Sequence, residues 1–310
     1  MMFVVTYSEV PFLMIIDVHT HTPRYRTPPA ESAAGFNLPD MAPMRPGQEN
    51  PGAYTWDEYL RAMETVDKAI CFNIAAPPLE DPTEPVGPVA PARELNDEAA
   101  ALIRAYPDKI IGFLAVHPRD PYALAEIERA TGDLGLRGIK LGPNYQNFDP
   151  LGDDAFRIYY RAQELKLPIV FHQGTSPVRY ADLDFAHPRH VDRIAMAFPD
   201  LKIVLAHLGH PWHADCIAVI RKHPNVYADI SGNFYRPWQY YNGMRLATEW
   251  DVLDKLLFGS DFPIATPQET MDALFRVNDP IAGTSLPPVP IGKLEELINR
   301  DSLVLLGLEG

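Results

Sequence analysis

Leu13-Met14-Ile15-Ile16-Asp17-Val18-His19-Thr20-His21 is a short apolar run that ends on two histidines, and the rest of the chain repeats its form. A run of four to eight apolar residues between polar or turn residues reads as a strand buried in a sheet, whereas apolar residues spaced near 3.6 read as a helix face. Runs of the first kind occur at 13–18, 69–74, 110–116, 136–141, 168–171, 202–206, 226–230 and 255–258, which makes eight. Helical patterns follow them at 56–67, 92–106, 121–130, 153–165, 188–198, 212–222, 243–250 and 267–277. In the first of these, Tyr59, Leu60, Met63 and Val66 share one face, as burial against a sheet requires. Eight βα units with no strand left over predict an α/β fold of the (β/α)8 TIM-barrel class. A single domain over 1–310 accommodates them, with a helical C-terminal segment at 290–310 whose helices, 291–299 and 302–308, are expected to pack outside the barrel.

Two stretches break the rhythm. Residues 21–55 are rich in Pro, Gly and Ala, and residues 75–91 hold six prolines. Proline fixes φ and removes a hydrogen-bond donor, so both read as stiff loops rather than strands. Each follows a strand, which places it on the face where barrel enzymes carry their chemistry. A lid or substrate wall and a solvated insertion are equal readings of them.

Composition narrows the class of function. Hydrophobic residues make up 46% and charged residues 22% of 310, ordinary values for a globular protein with a large core. Lys and Arg total 27 against 41 Asp and Glu, and a net charge of −14 with no basic stripe argues against nucleic acid as a partner. A small-molecule substrate is expected instead. No apolar stretch approaches the roughly 18 to 20 residues of a membrane span. The opening segment lacks a basic region and contains Glu9 and Pro11, so it makes a poor signal peptide. Cys71 and Cys216 lie far apart without metal or disulfide spacing, and a reduced, cytoplasmic protein is expected.

The chemistry concentrates at strand ends. Side chains alternate along a strand, so His19 and His21 project to one side and can reach one ion. His172 ends Leu-Pro-Ile-Val-Phe-His, His207 ends Lys-Ile-Val-Leu-Ala-His, and Asp261 closes Leu-Leu-Phe-Gly-Ser-Asp. Each alone has a plain reading: a satisfied polar residue for a histidine, a helix cap for the aspartate. Four imidazoles and a carboxylate at the same end of one barrel are hard to explain by accident. Nitrogen and oxygen donors without thiolate suit zinc, and also manganese or iron.

The ordered set Asp17-Val18-His19-Thr20-His21, RGIKLGP, IVFHQG, VLAHLGHPW, NVYADIS and LLFGSDFP resembles the amidohydrolase superfamily, in the branch of aminocarboxymuconate-semialdehyde decarboxylase and related lactone hydrolases. The resemblance covers nearly the whole chain. It implies one divalent cation, with zinc the first choice, held by His19, His21, His172 and Asp261, while His207 acts on water or substrate. A homodimer is implied by resemblance alone. A divalent ion acidifies water and polarises a carbonyl, and Asp261 beside it can accept a proton and return it to a leaving group.

Lys140, in Gly-Ile-Lys-Leu, has three readings. In some members of the wider superfamily a lysine here is carboxylated and bridges two metals, which would make His207 a ligand. In the branch resembled here, an unmodified ammonium facing a substrate carboxylate is the expectation, and a core-edge ion pair is the plain alternative. Arg179 and Arg236 follow the fifth and seventh strands, where a guanidinium can clamp a carboxylate. Tyr145 and Asn147 are lesser candidates, and His210 reads as a helix opener or a neighbour of the ligands. His117, His187, His190, His213 and His223 read as structural or solvated. The expected activity is hydrolysis of a small carboxylate-bearing ester, lactone or amide. Non-oxidative decarboxylation on the same scaffold is the alternative, and a non-catalytic binding barrel a third reading that the intact donor set disfavours.

Overall fold

The computed structural model describes residues 14–22, 42, 45, 47, 54–78, 91–179 and 181–309. Most of the two expected loops, 21–55 and 75–91, and the first residues of the opening strand lie outside them. The strand segments are β1 (Ile16–His21), β2 (Lys68–Phe72), β3 (Ile110–Gly112), β4 (Leu114–Ala115), β5 (Ile139–Leu141), β6 (Ile169–Phe171), β7 (Ile203–Leu205), β8 (Val226–Asp229) and β9 (Leu256–Leu257). All pair in parallel, as β1-β2-β3 and as β4 through β9 in sequence order.

Nine segments occupy the eight expected strand positions, because β3 and β4 are two parts of one strand. The change of partner falls at Phe113: its N–H donates to Cys71 O at 2.9 Å, and the next residue, Leu114, donates to Gly138 O at 2.7 Å. The ring closes between β9 and β1. Val18 N–H donates to Phe258 O at 2.9 Å, Asp261 N–H to His19 O at 2.8 Å and His21 N–H to Phe262 O at 3.0 Å. Parallel strands need long crossovers, and helices supply them. They are α1 (Trp56–Ala62), α2 (Ala92–Ala105), α3 (Ala123–Gly132), a short α4 (Pro143–Gln146), α5 (Asp153–Glu164), α6 (Arg189–Ala197), α7 (His213–Lys222), α8 (Pro237–Glu249) and α9 (Pro267–Phe275). α8 starts six residues before the expected 243, because Pro237 at its first turn pre-sets the helical φ where no N–H is needed.

Two apolar layers hold the molecule. Ile70, Phe72, Phe113, Val170, Val204 and Leu257 fill the barrel interior, while Ala69, Cys71, Ile139, Leu141, Ile203 and Leu205 face the helices. The C-terminal helices divide between the layers. α10 (Ile291–Ile298) packs on the outer layer as expected, but α11 (Ser302–Leu306) does not: its Leu303 and Leu306 join the interior cluster. The interior is apolar at its lower end, and an amphipathic turn capped by Asp301 covers it. Lys202, just before β7, donates from Nζ to Leu305 O at 2.6 Å and fixes that plug in place.

His213 opens α7 and is 4% exposed. Burial pushes its imidazolium pKa down to about 4. The unfolded chain, with an ordinary value near 6.5, binds this proton first, so stability is complete above about pH 6.5 and is lost as pH falls towards 4. His213→Leu should therefore lose about 1 to 3 kcal/mol less between pH 7 and 4 than the parent, read from urea midpoints. Equal pH dependence in the two proteins would refute this.

Candidate metal centre

The strand ends bring the histidines together, helped by two local distortions. The register of β1 against β2 shifts between Asp17 and Thr20, a bulge that re-aims the side chains around His19. Thr20 hydrogen-bonds to Tyr59 of α1 and to Ile70 O, both at 2.8 Å, while the His19 and His21 rings lie 5.4 Å apart. The second distortion is left-handed backbone at His207 (φ 59°) and Asp261 (φ 64°). Such conformations cost non-glycine residues about 1 to 3 kcal/mol and persist only where neighbours over-determine them. Asp261 is held through its N–H on His19 O and its carbonyl on Ile264 N, each at 2.8 Å. His207 is held through its N–H on Asp229 Oδ1 at 3.0 Å and its carbonyl on Asn233 Nδ2 at 2.7 Å.

Asp261 Oδ1 stands 3.3 Å from His19 Nε2 and 3.2 Å from His21 Nε2. The His207 ring lies 4.8 Å from His19 and 5.0 Å from His172. His172 is packed on Tyr145 at 4.6 Å, and its Nε2 is buried with no hydrogen-bond partner among the described residues. Lys140 is fully buried, with Nζ 3.5 Å from His19 Nε2 and 4.4 Å from the Phe72 ring centre. Arg236 stacks on Tyr235 at the start of α8. Arg179 sits in an exposed turn, and among the described residues no hydrogen bond or ion pair joins it to the histidines. Asn147 is the C-cap of α4 and has left-handed backbone.

Sequence reading passed over Asp229 and Ser231. Asp229 is fully buried at the end of β8 and its Oδ2 accepts from His19 Nδ1 at 2.8 Å. Ser231 Oγ donates to Asp229 Oδ1 and lies 2.9 Å from His207 Nδ1. The strand-end rule that selected the histidines also selects Asp229, in Val-Tyr-Ala-Asp. Ser231 carries no such signal.

Charge completes the picture. Burial pushes His21 down to about 4, against the pull of Asp261. His172 and His207 are also lowered by burial, His172 further by His207 and Lys140. Burial would raise Asp229 and Asp261, but the histidines around them hold both below the ordinary carboxylate range. Burial brings Lys140 down to about 8, against Asp229 and Asp261. His19 alone moves the other way: burial and Lys140 lower it, but Asp229 and Asp261 beside it hold its pKa above the ordinary histidine value, so the site pairs three imidazoles that stay neutral with one that favours its proton, beside two carboxylates.

That donor set fits a small cation. Asp229 only accepts, so a His19 Nδ1 proton is turned to it, and Nε2 is the ring nitrogen that faces a carboxylate oxygen. Protons on the ring nitrogens can bridge these contacts in the metal-free chain, and a bound cation would take the same place. Donors about 2.1 Å from one ion at the tetrahedral angle stand about 3.4 Å apart, close to what His19, His21 and Asp261 show. His19, His21 and Asp261 form one group able to hold an ion, and His19, His207 and Asp229 form another around the same histidine.

Comparison with known proteins agrees with this architecture. An amidohydrolase family profile matches residues 16–288. Over 125 residues the chain is 32% identical to dihydroorotase of Helicobacter pylori; the match takes in 38% of this chain and only 35% of that relative's length. An uncharacterised TIM-barrel protein of Bordetella bronchiseptica superimposes with a TM-score of 0.66 at 20% identity, over 95% of this chain and 98% of that one. A probable 2-pyrone-4,6-dicarboxylic acid hydrolase of Acinetobacter baumannii gives 0.59 at 14% identity, over 95% and 99%. Dihydroxybenzoic acid decarboxylase of a Polaromonas species, solved with manganese and 2-nitroresorcinol, gives 0.61 at 18%, over 95% and 97%. No helix among the described residues is long and apolar enough to cross a membrane. The structural likenesses establish the TIM barrel, and with the family profile spanning strands β1 to β9 the chain belongs to the amidohydrolase family.

Proposed function

We propose that this amidohydrolase-family enzyme hydrolyses a small carboxylate-bearing ester, lactone or amide, using a divalent cation held by His19, His21, His172 and Asp261. The observation that carries this reading is the convergence of two imidazole nitrogens on one carboxylate oxygen at 3.2 and 3.3 Å. His172 lies outside the group formed by His19, His21 and Asp261, and its buried, unpartnered Nε2 is what supports it as the fourth donor of this reading. When bound, such a cation polarises a substrate carbonyl and acidifies water. Zinc suits the nitrogen-rich set best, with manganese or iron also compatible.

The chain's own residues do the rest. Asp261, anionic and in contact with both His19 and His21, takes a proton on its carboxylate and returns it to the leaving group. His207 directs Nδ1–H to Ser231 O at 3.2 Å, which leaves Nε2 to accept a hydrogen bond and orient water or substrate. The Lys140 ammonium attracts the substrate carboxylate, and Arg236 and Arg179 are the further cations assigned to its recognition. The buried free thiols of Cys71 and Cys216 suit a cytoplasmic setting, and a homodimer is part of the same reading.

Decarboxylation is the second reading, favoured by the fold shared with dihydroxybenzoic acid decarboxylase. A panel of lactones, esters and aromatic or muconate-type acids, assayed for both acid formation and CO2 release, separates the two. Acid formation from a lactone or ester is expected; CO2 release alone would replace hydrolysis by decarboxylation.

A further inference from the structure

The two oxygens of Asp229 have different company. Oδ1 accepts from the backbone N–H of His207 and of Ser231, both at 3.0 Å, and from the Ser231 hydroxyl. Oδ2 faces His19 Nδ1 at 2.8 Å. A backbone N–H cannot reverse its role, so the Oδ1 position must always be an acceptor. The Oδ2 position decides which ring nitrogen of His19 carries the proton. With a carboxylate there, a proton is held on Nδ1, and Nε2, facing Asp261, is the nitrogen whose lone pair a cation can take.

We propose that Asp229 is a positioning residue that fixes the His19 tautomer, and that the conservative change Asp229→Asn inverts it. The amide oxygen must take the Oδ1 position to satisfy two fixed N–H donors. The amide NH2 is thereby forced into the Oδ2 position and donates to His19 Nδ1. His19 then carries its proton on Nε2, where the lone pair is needed. Asp229→Ala instead leaves only the Ser231 hydroxyl beside Nδ1, at 3.3 Å, and a hydroxyl can accept as well as donate, so part of the population keeps Nε2 bare. The milder substitution is therefore the more damaging one, an order opposite to that of a residue whose role is packing.

This inference rests on the reading that His19 Nε2 is a metal ligand, and the test separates the two. Zinc affinity of the full chain is measured by competition with a chromophoric chelator. Asp229→Ala should weaken zinc binding about 10- to 100-fold, the usual effect of losing a partner behind a ligand, and Asp229→Asn at least about tenfold more. Long-range 1H–15N spectra of the metal-free proteins report the tautomer whether or not zinc binds. The parent should show a proton on His19 Nδ1, and Asp229→Asn a proton on Nε2 alone. Retention of the Nδ1 proton in Asp229→Asn, or zinc binding by Asn as tight as by Ala, would overturn the proposal. Should Asp229→Ala fail to fold, the near-isosteric Asn variant and its spectrum decide alone. Inverted tautomer with no zinc binding by the parent would leave Asp229's role intact and remove the metal reading.

Discussion

Asp261→Asn is expected to lower kcat by about 10³-fold or more while the protein stays folded. Asp261 joins two roles in one side chain. The Asp261 carboxylate is the point on which His19 and His21 converge, and it is the base nearest to them. An amide keeps its shape but cannot take up the proton, and it removes a negative charge from a set of otherwise neutral donors. Asn is the right replacement because Asp261 has φ of 64°, a region that Asn enters nearly as readily as Asp. Melting temperature and circular dichroism should therefore change little while turnover collapses. A loss of less than about tenfold would remove Asp261 from the proton-transfer step.

Gly174→Ala should produce the largest loss of stability of any single methyl addition near the site, about 4 kcal/mol or more. Two independent penalties meet there. Gly174 has φ of 93°, and an added Cβ would lie 2.1 Å from the His210 carbonyl oxygen, which is backbone and cannot rotate away. The close approach is also bonded: Thr175 N–H donates to His210 O at 2.7 Å and Gly174 N–H to Ala186 O at 2.8 Å. Forcing these segments apart displaces the chain that carries His172 two residues earlier. Gly135 supplies the control, since its φ is 74° but no atom lies within 4 Å of an added Cβ. Gly135→Ala should cost only about 1 to 2 kcal/mol. Urea unfolding of the two variants, or failure of the first to accumulate as folded protein, checks the difference. Equal costs would mean that backbone conformation alone sets the penalty.

The barrel was legible because each strand position is a contiguous apolar run and each helix an amphipathic one, both local patterns. What local pattern does not encode is where a strand changes partner. The split at Phe113 depends on the spacing of β2 and β5, and the inward turn of α11 depends on an apolar opening made by strands far away in sequence. The candidate donors stood out for a similar reason: His19, His21, His172, His207 and Asp261 all close apolar runs. Asp229 closes one too, yet its importance comes from partners such as His19, 210 positions away, that sequence spacing does not reveal. The left-handed backbone at His207 and Asp261 was equally hidden, because strand ends are expected to be extended. Arg179 follows a strand as the histidines do and lies in an exposed turn beyond it, so sequence spacing does not fix its distance from them.

Metal content of the purified protein decides whether a cation sits among these residues. About one equivalent of a divalent ion per chain is expected, removed by a chelator together with activity and restored by adding zinc, manganese or iron. Close to two equivalents would bring Lys140 and His207 into the ligand set. Less than about a tenth of an equivalent, with no gain of activity on adding any of the three, would contradict a site built on His19, His21, His172 and Asp261.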